Sequence, residues 1–296
     1  MDIKELRQEI DRIDDQLVQL FAERMEVSAQ IADYKKQQNM PIFVPARERE
    51  KLAAVSQKVS PELSSHVKVL YSLLFELSRS HQSARNAAQS GLFAAISESI
   101  AHTPKLFPQQ AMIACPGVEN ETVQRACEHI IKSPCALYFN TLDAVFSAVE
   151  QGMCSYALIP LEDGLSSAST AVYKLLIQHQ FYIIRSFRLQ NEHGGKTRYI
   201  CVSRQLEIYP GADRTMLMLT LPHKPGSLYR VLARLYALGI NVAKLESCPS
   251  DQNDYAINFY FELDTSIYSE EFVRLMCELD DLCDQFQYLG SYTEVV

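Results

Sequence analysis

Over the first 38 residues, apolar side chains recur at alternating spacings of three and four, interrupted at one place. Ile3, Leu6, Ile10, Ile13, Leu17, Leu20, Val27, Ile31 and Tyr34 follow this alternation, the spacing of a coiled-coil seam. The first glycine is Gly91, and the only prolines before it are Pro41, Pro45 and Pro61. The pattern predicts three helices, from Asp2 to Gln38, from Pro45 to Gln57, and from Ser60-Pro61-Glu62 to Arg85. A helix of ~37 residues is ~55 Å long, too long for one small monomeric domain, so it is expected to pair with a copy of itself. Residues 86–108 are small, polar and weakly patterned, and read as a linker with one helical turn or more.

From Ala111 the period changes. AMIAC, CALYFN, SYALIP, FYIIRSF and RYICVS are predicted strands, with helices near Glu121–Lys132, Thr141–Gln151 and Ser167–Gln178 between them. That alternation predicts a mostly parallel sheet covered by helices. From Thr215 the order is strand, helix, strand, strand, helix, strand, a βαββαβ unit of ferredoxin-like type. The expected fold is thus multidomain: an all-helical segment over 1–88, a linker over 89–108, an α/β segment over 109–206 and an α+β segment over 212–296.

Composition narrows the function. The 296 residues carry 36 acidic against 28 basic side chains, a net charge of −8 that disfavours a phosphate-tracking nucleic-acid binder. The N-terminus is charged from its second residue, and nowhere do about 18 apolar residues run together, so a cytoplasmic protein without membrane contact is expected. The eight cysteines form no C-x-x-C pair and read as reduced, mostly buried thiols rather than a disulfide framework or zinc site. No metal or cofactor is expected.

The seam of the first helix is broken at position 24, which holds Arg. A buried Arg needs an anion. Two explanations stand: a buried pair with Glu76 or Glu48, or an anion-binding pocket inside a helical bundle. Lys35 lies eleven residues on, three turns, and returns to nearly the same face. Arg7 is seventeen residues before Arg24, ~25 Å along the axis, so if it serves the same pocket it comes from another chain. The second helix opens with Arg47-Glu48, and the third carries Ser78 and Gln82 on one face. Four cations, one carboxylate and two neutral hydrogen-bonding groups make no nucleophile–base pair, no metal-ligand set and no pair of carboxylates. They suit a polyanion, or a reaction that needs electrostatic help and no proton shuttle.

Residues 1–85 resemble the all-helical chorismate mutases, in particular the N-terminal domain of fused chorismate mutase–prephenate dehydratases, through ELRQEIDRIDDQLVQLFAERMEVSAQIADYKK, PIFVPARERE and LFELSRSHQ. The resemblance implies an intertwined homodimer whose Arg7 crosses into the partner's pocket. It also implies that Arg7 and Arg24 bind the two carboxylates of chorismate with support from Ser78. Glu48 would take the substrate hydroxyl, and Lys35 and Gln82 would donate to the ether oxygen. Arg47 completes the cationic set. Where that family usually has Asp before the Arg-Glu pair, this chain has Val44.

Residues 111–204 resemble prephenate dehydratase in FNTLDAVFSAVEQG, YALIPLEDG, HQFYIIRSFRL and GKTRYICVSR, in order. A complete domain of that family has two lobes. Here the chain passes directly from Ser186-Phe187-Arg188-Leu189 to Thr197-Arg198-Tyr199, leaving one lobe and half a cleft. Thr197 and Asp163 are the candidate remnants, and dehydratase activity is expected to be lost. The last segment resembles the ACT regulatory module through Gly226-Ser227-Leu228-Tyr229 and Glu246-Ser247-Cys248-Pro249. That resemblance implies a phenylalanine effector site at Gly226, Ser227, Leu228, Glu246 and Ser247, or a pair of modules that only dimerises. The expected activity is chorismate mutase in aromatic amino acid biosynthesis. The alternatives are a bifunctional mutase/dehydratase and a non-catalytic amino-acid-binding regulator.

Overall fold

Proline placement sets where the second and third helices begin. Helix α1 spans Ile3–Gln37, α2 spans Pro45–Ser56 and α3 spans Pro61–Ala84. Pro45 and Pro61 each open a helix, where the missing N–H costs no intrahelical bond. The structure is a computed structural model that describes residues 2–38, 40, 44–84, 91–161, 166–190, 195–251, 255–283 and 285–295. The chain divides into two compact units, Met1–Ala88 and Gln89–Val296.

In the first unit α3 packs against both α1 and α2. The α1 seam does not turn inward: Ile3, Ile10 and Leu17 are 58%, 57% and 55% exposed, and Leu6, Ile13, Leu20, Val27, Ile31 and Tyr34 are exposed with them. A stripe of this length on one helix cannot be covered by the two shorter ones.

In the second unit the expected linker contains a helix, α4 (Gly91–His102). Its Ile96 is fully buried in the core of the C-terminal half, with Leu92 and Ile100 packed against the same core at helical spacing. There follow β1 (Gln110–Pro116), α5 (Glu121–Ile130), β2 (Ser133–Phe139), α6 (Leu142–Glu150), β3 (Tyr156–Leu161), α7 (Ser166–His179), β4 (Tyr182–Gln190) and β5 (Lys196–Ser203). The C-terminal half is β6 (Arg214–Pro222), α8 (Ser227–Ala237), β7 (Asn241–Pro249), β8 (Ala256–Asp264), α9 (Glu270–Leu282) and β9 (Gln285–Val295), in the βαββαβ order expected. Asn120, Thr141 and Ser269 cap α5, α6 and α9 through their side chains.

Among the described residues nine strands join one sheet, ordered β2-β1-β3-β5-β4-β9-β6-β8-β7. The expectation of a mostly parallel arrangement needs correction. Strand β1 runs parallel to β2 and β3, but β5 lies antiparallel to both β3 and β4. The connection from Gln190 to Lys196 is too short for a parallel crossover, which takes a dozen residues or more. The two halves expected as separate domains are continuous through β4 and β9, which pair in parallel at Arg185–Phe187 and Thr293–Val295. Helices α8, α9 and α4 cover one face of the C-terminal half. Tyr173 and Leu176 of α7 join the core on its other face with Met216, Met218, Tyr260 and Tyr292. Among the described residues no helix is long and apolar enough to cross a membrane, and no group of His, Cys, Asp or Glu could hold a metal. Four of the eight free cysteines, Cys115, Cys127, Cys154 and Cys201, are buried.

Candidate active site

Three helices of the first unit converge on a cleft of about 710 Å³. Helix α1 contributes Arg24, Ser28 and Lys35, spaced so that successive turns present them to one side. The start of α2 contributes Val44, Arg47 and Glu48, and α3 contributes Ser78, Arg79 and Gln82. Seven of the eight positions expected for a mutase pocket line this cavity. The eighth, Arg7, is exposed on α1 and is not among the lining residues.

Arg24 donates to the Leu74 carbonyl at 3.2 Å and to Ser78 Oγ, and its guanidinium carbon sits 5.8 Å from the centre of the Phe75 ring. Ser78 is buried and donates in turn to Leu74 O at 2.7 Å. Among the described residues no carboxylate pairs with Arg24. Glu48 and Glu76, the expected partners for a purely structural Arg24, both pair with Arg79 instead. Burial pushes the Arg24 pKa below its ordinary value. The Lys35 pKa is also lowered, by burial first, with the charge of Glu48 acting in the opposite direction. The floor of the cleft therefore holds cations that would gain from an anion.

Gln82 is buried. Its Nε2 donates to Ser28 Oγ at 2.6 Å, and its Oε1 has no hydrogen-bond partner. Half a turn of the amide would let the Ser28 hydroxyl donate to Oε1 and present Nε2 to the cleft. Val44 is the N-cap residue of α2. Its side chain caps nothing, and its carbonyl accepts from the N–H groups of Arg47 and Glu48 at 3.1 and 3.3 Å. Arg47 sits at the exposed rim, paired with Glu50 at 3.1 Å. Sequence reasoning missed Ser28 and Arg79. The signal for Arg79 was available: it lies four residues after Phe75 and three before Gln82, on the same helical face as both.

The other candidate positions lie in the second unit. Thr197 is half-buried on β5, and Asp163 falls outside the described residues. Arg198, beside Thr197, is buried and committed to the C-terminal half. It donates to Glu262 Oε2 at 2.6 Å and, through Nε, to Ser186 Oγ at 2.8 Å, while the Tyr292 hydroxyl donates to Glu262 Oε1 at 3.1 Å. Burial alone would raise the Glu262 carboxyl, but Arg198 outweighs it and holds the pKa below the usual range.

Gly226 adopts φ +90° at the N-cap of α8, a left-handed conformation that glycine takes without strain. Ser227 N–H donates back to Lys224 O at 3.2 Å, and Leu228 packs on the α8 side of the sheet. Glu246 faces α7 instead. Its carboxylate accepts from Ser169 Oγ at 3.0 Å, Thr170 Oγ1 at 3.5 Å and Lys244 Nζ at 2.8 Å. Strand alternation turns Ser247 the other way. Within one chain the expected effector residues are thus divided between the two faces of the sheet.

Residues 6–83 match the family model of chorismate mutase type II. The chain is 23% identical to the bifunctional chorismate mutase/prephenate dehydratase of Aquifex aeolicus, an alignment covering 100% of this chain and 99% of the relative. That alignment has 358 positions against 296 residues here, the surplus being positions of the relative with no counterpart in this chain. The enzyme of the same name from Escherichia coli K12 is 27% identical over 64% of this chain, which spans only 47% of that relative. The fold resembles that of the Arthrobacter aurescens prephenate dehydratase solved with L-Phe, with TM-score 0.53 and 16% identity over 62% of this chain and 89% of the other.

Proposed function

We propose, from the premise that this chain carries a chorismate mutase type II domain followed by a prephenate dehydratase-like region, that it converts chorismate to prephenate in the cleft between α1, α2 and α3. The observation that carries this reading is Arg24: a half-buried guanidinium, oriented by Ser78 and the Leu74 carbonyl, with no carboxylate partner among the described residues.

Chorismate is a dianion, and its rearrangement breaks an ether C–O bond as a C–C bond forms, with no proton transferred. Catalysis therefore consists of holding a compact conformer and stabilising the negative charge that develops on the ether oxygen. Arg24 grips one carboxylate through the planar fork of its guanidinium, with Ser78 alongside. The second carboxylate is met by Arg7 of a partner subunit, whose α1 seam covers the exposed apolar stripe of this one in a homodimer. Glu48 accepts the substrate hydroxyl, Lys35 and Gln82 donate to the ether oxygen, and Arg47 adds positive potential at the rim.

The dehydratase-like sheet serves as scaffold and its activity is lost, because the chain passes straight from β4 to β5 where the second lobe would stand, and Arg198 beside Thr197 is held by Glu262. A second reading, a bifunctional mutase/dehydratase, is favoured by the name of the Aquifex aeolicus relative and its 99% coverage. The C-terminal βαββαβ segment is an ACT module that senses phenylalanine, a reading supported by the L-Phe complex of the Arthrobacter aurescens structure. Loss of chorismate absorbance with purified protein, followed by acid-free detection of phenylpyruvate, separates these readings. Prephenate accumulating without phenylpyruvate is expected; phenylpyruvate formation would establish the bifunctional reading, and inertness toward chorismate would remove both. Repeating the assay with phenylalanine tests the sensor, and an unchanged velocity with no calorimetric binding would remove it.

A further inference from the structure

Arg79 is 7% exposed and bridges two helices. One guanidinium nitrogen pairs with Glu48 Oε1 on α2, and the other pairs with Glu76 Oε1, one turn back on α3. A buried guanidinium stays in place only when its charge is met on both arms, and here it is. Glu76, on the same helix, pins the fork, so the fork in turn fixes Glu48. Glu48 is held through Oε1, and the residue lines the cleft, which leaves its second carboxylate oxygen for a ligand. Beside it, Val44 supplies no side-chain acceptor at the N-terminus of α2.

We propose that Arg79 is a positioning residue for the mutase reaction: by clamping Oε1 of Glu48 across α2 and α3, it aims Oε2 at the substrate hydroxyl, the orientation that Val44 cannot provide. The inference rests on the mutase reading of this cleft. A glutamate side chain loses rotamer freedom when it orders against a ligand, and a clamp that orders it beforehand moves that cost from binding to folding. Without the guanidinium, Glu48 and Glu76 would be like charges facing each other across the helix pair, and Glu48 would swing away from the cleft.

The test is steady-state kinetics on chorismate with the full-length protein, comparing wild type, Arg79→Met, Arg79→Lys, Glu48→Gln and the double variant Arg79→Met/Glu48→Gln. Expected are a rise in KM of about tenfold in Arg79→Met with a smaller fall in kcat, partial recovery in Arg79→Lys, and no further loss when Arg79→Met is added to Glu48→Gln. Equal, additive losses in both backgrounds would overturn the proposal, because Arg79 would then act on the fold and not through Glu48. Wild-type KM and kcat in Arg79→Met would overturn it as well. If Arg79→Met does not fold, Arg79→Lys alone and on Glu48→Gln is read by the same criteria. A wild-type protein inert toward chorismate overturns the mutase reading and this proposal together, whereas an active wild type with indifferent variants overturns this proposal alone.

Discussion

Gln82 and Lys35 differ in how they carry a proton, and pH should expose each separately. An amide donates at any pH, so the Gln82 contribution is independent of acid. In Gln82→Glu the side chain is an acceptor at neutral pH and a donor only when protonated. Losing one donor from a preorganised site costs ~2.7–4 kcal/mol of barrier, so turnover of this variant should fall by about a hundredfold or more at pH 7.5 and recover toward pH 5. A pH–rate profile checks this, and equal turnover across that range would remove Gln82 from the machinery. Lys35 donates only as an ammonium. Its pKa is lowered by burial, so the folded protein releases this proton at lower pH than an ordinary lysine of 10.5. The alkaline limb of kcat/KM should therefore lie below that value, and Lys35→Arg should move it out of range.

At the scale of elements, β9 is constrained by a close backbone approach. Gly290 has φ +126°, and a Cβ built on it would lie 2.2 Å from the Ile183 carbonyl oxygen. The register of β9 against β6 shifts at this point, and β9 also carries the parallel pairing to β4. Gly290→Ala must therefore displace one backbone or the other. The expected cost is more than about 3 kcal/mol, read as an earlier unfolding transition by circular dichroism in urea, with the sheet losing the join between its halves. Strand and helix order was legible in sequence because period and turn residues are local signals. The pairing partners of β4 were not, since β9 lies about a hundred residues downstream and nothing in either strand marks the other.

At the scale of the molecule, α1 presents an apolar stripe along its whole length, and Arg7 lies ~25 Å from Arg24 along that helix. A two-fold dimer that buries the stripe would build each pocket from both chains. Complementation tests this. Arg7→Ala and Arg24→Ala should each be inactive alone. Unfolded together and refolded, they should regain about a quarter of wild-type activity, because half the dimers are mixed and each mixed dimer holds one intact pocket. No recovery, with mixed dimers demonstrated by mass, would mean that Arg7 and Arg24 do not serve one site across the interface.

The sequence by itself determined the spans of α1, α2 and α3, the βαββαβ order, and the shared faces of Arg24 with Lys35 and of Ser78 with Gln82, because helical and strand periods place side chains by arithmetic; Val44 entered only through the family resemblance. Only the tertiary structure decided which charges meet. Glu48 and Glu76 went to Arg79 and left Arg24 without a carboxylate among the described residues, Glu246 turned to the hydroxyls of α7, and the helical turn expected in the linker became a twelve-residue helix packed on α9. Pairing between side chains far apart in the chain depends on distances that no local pattern encodes, and burial makes those pairings decisive by removing the water that would otherwise satisfy each group.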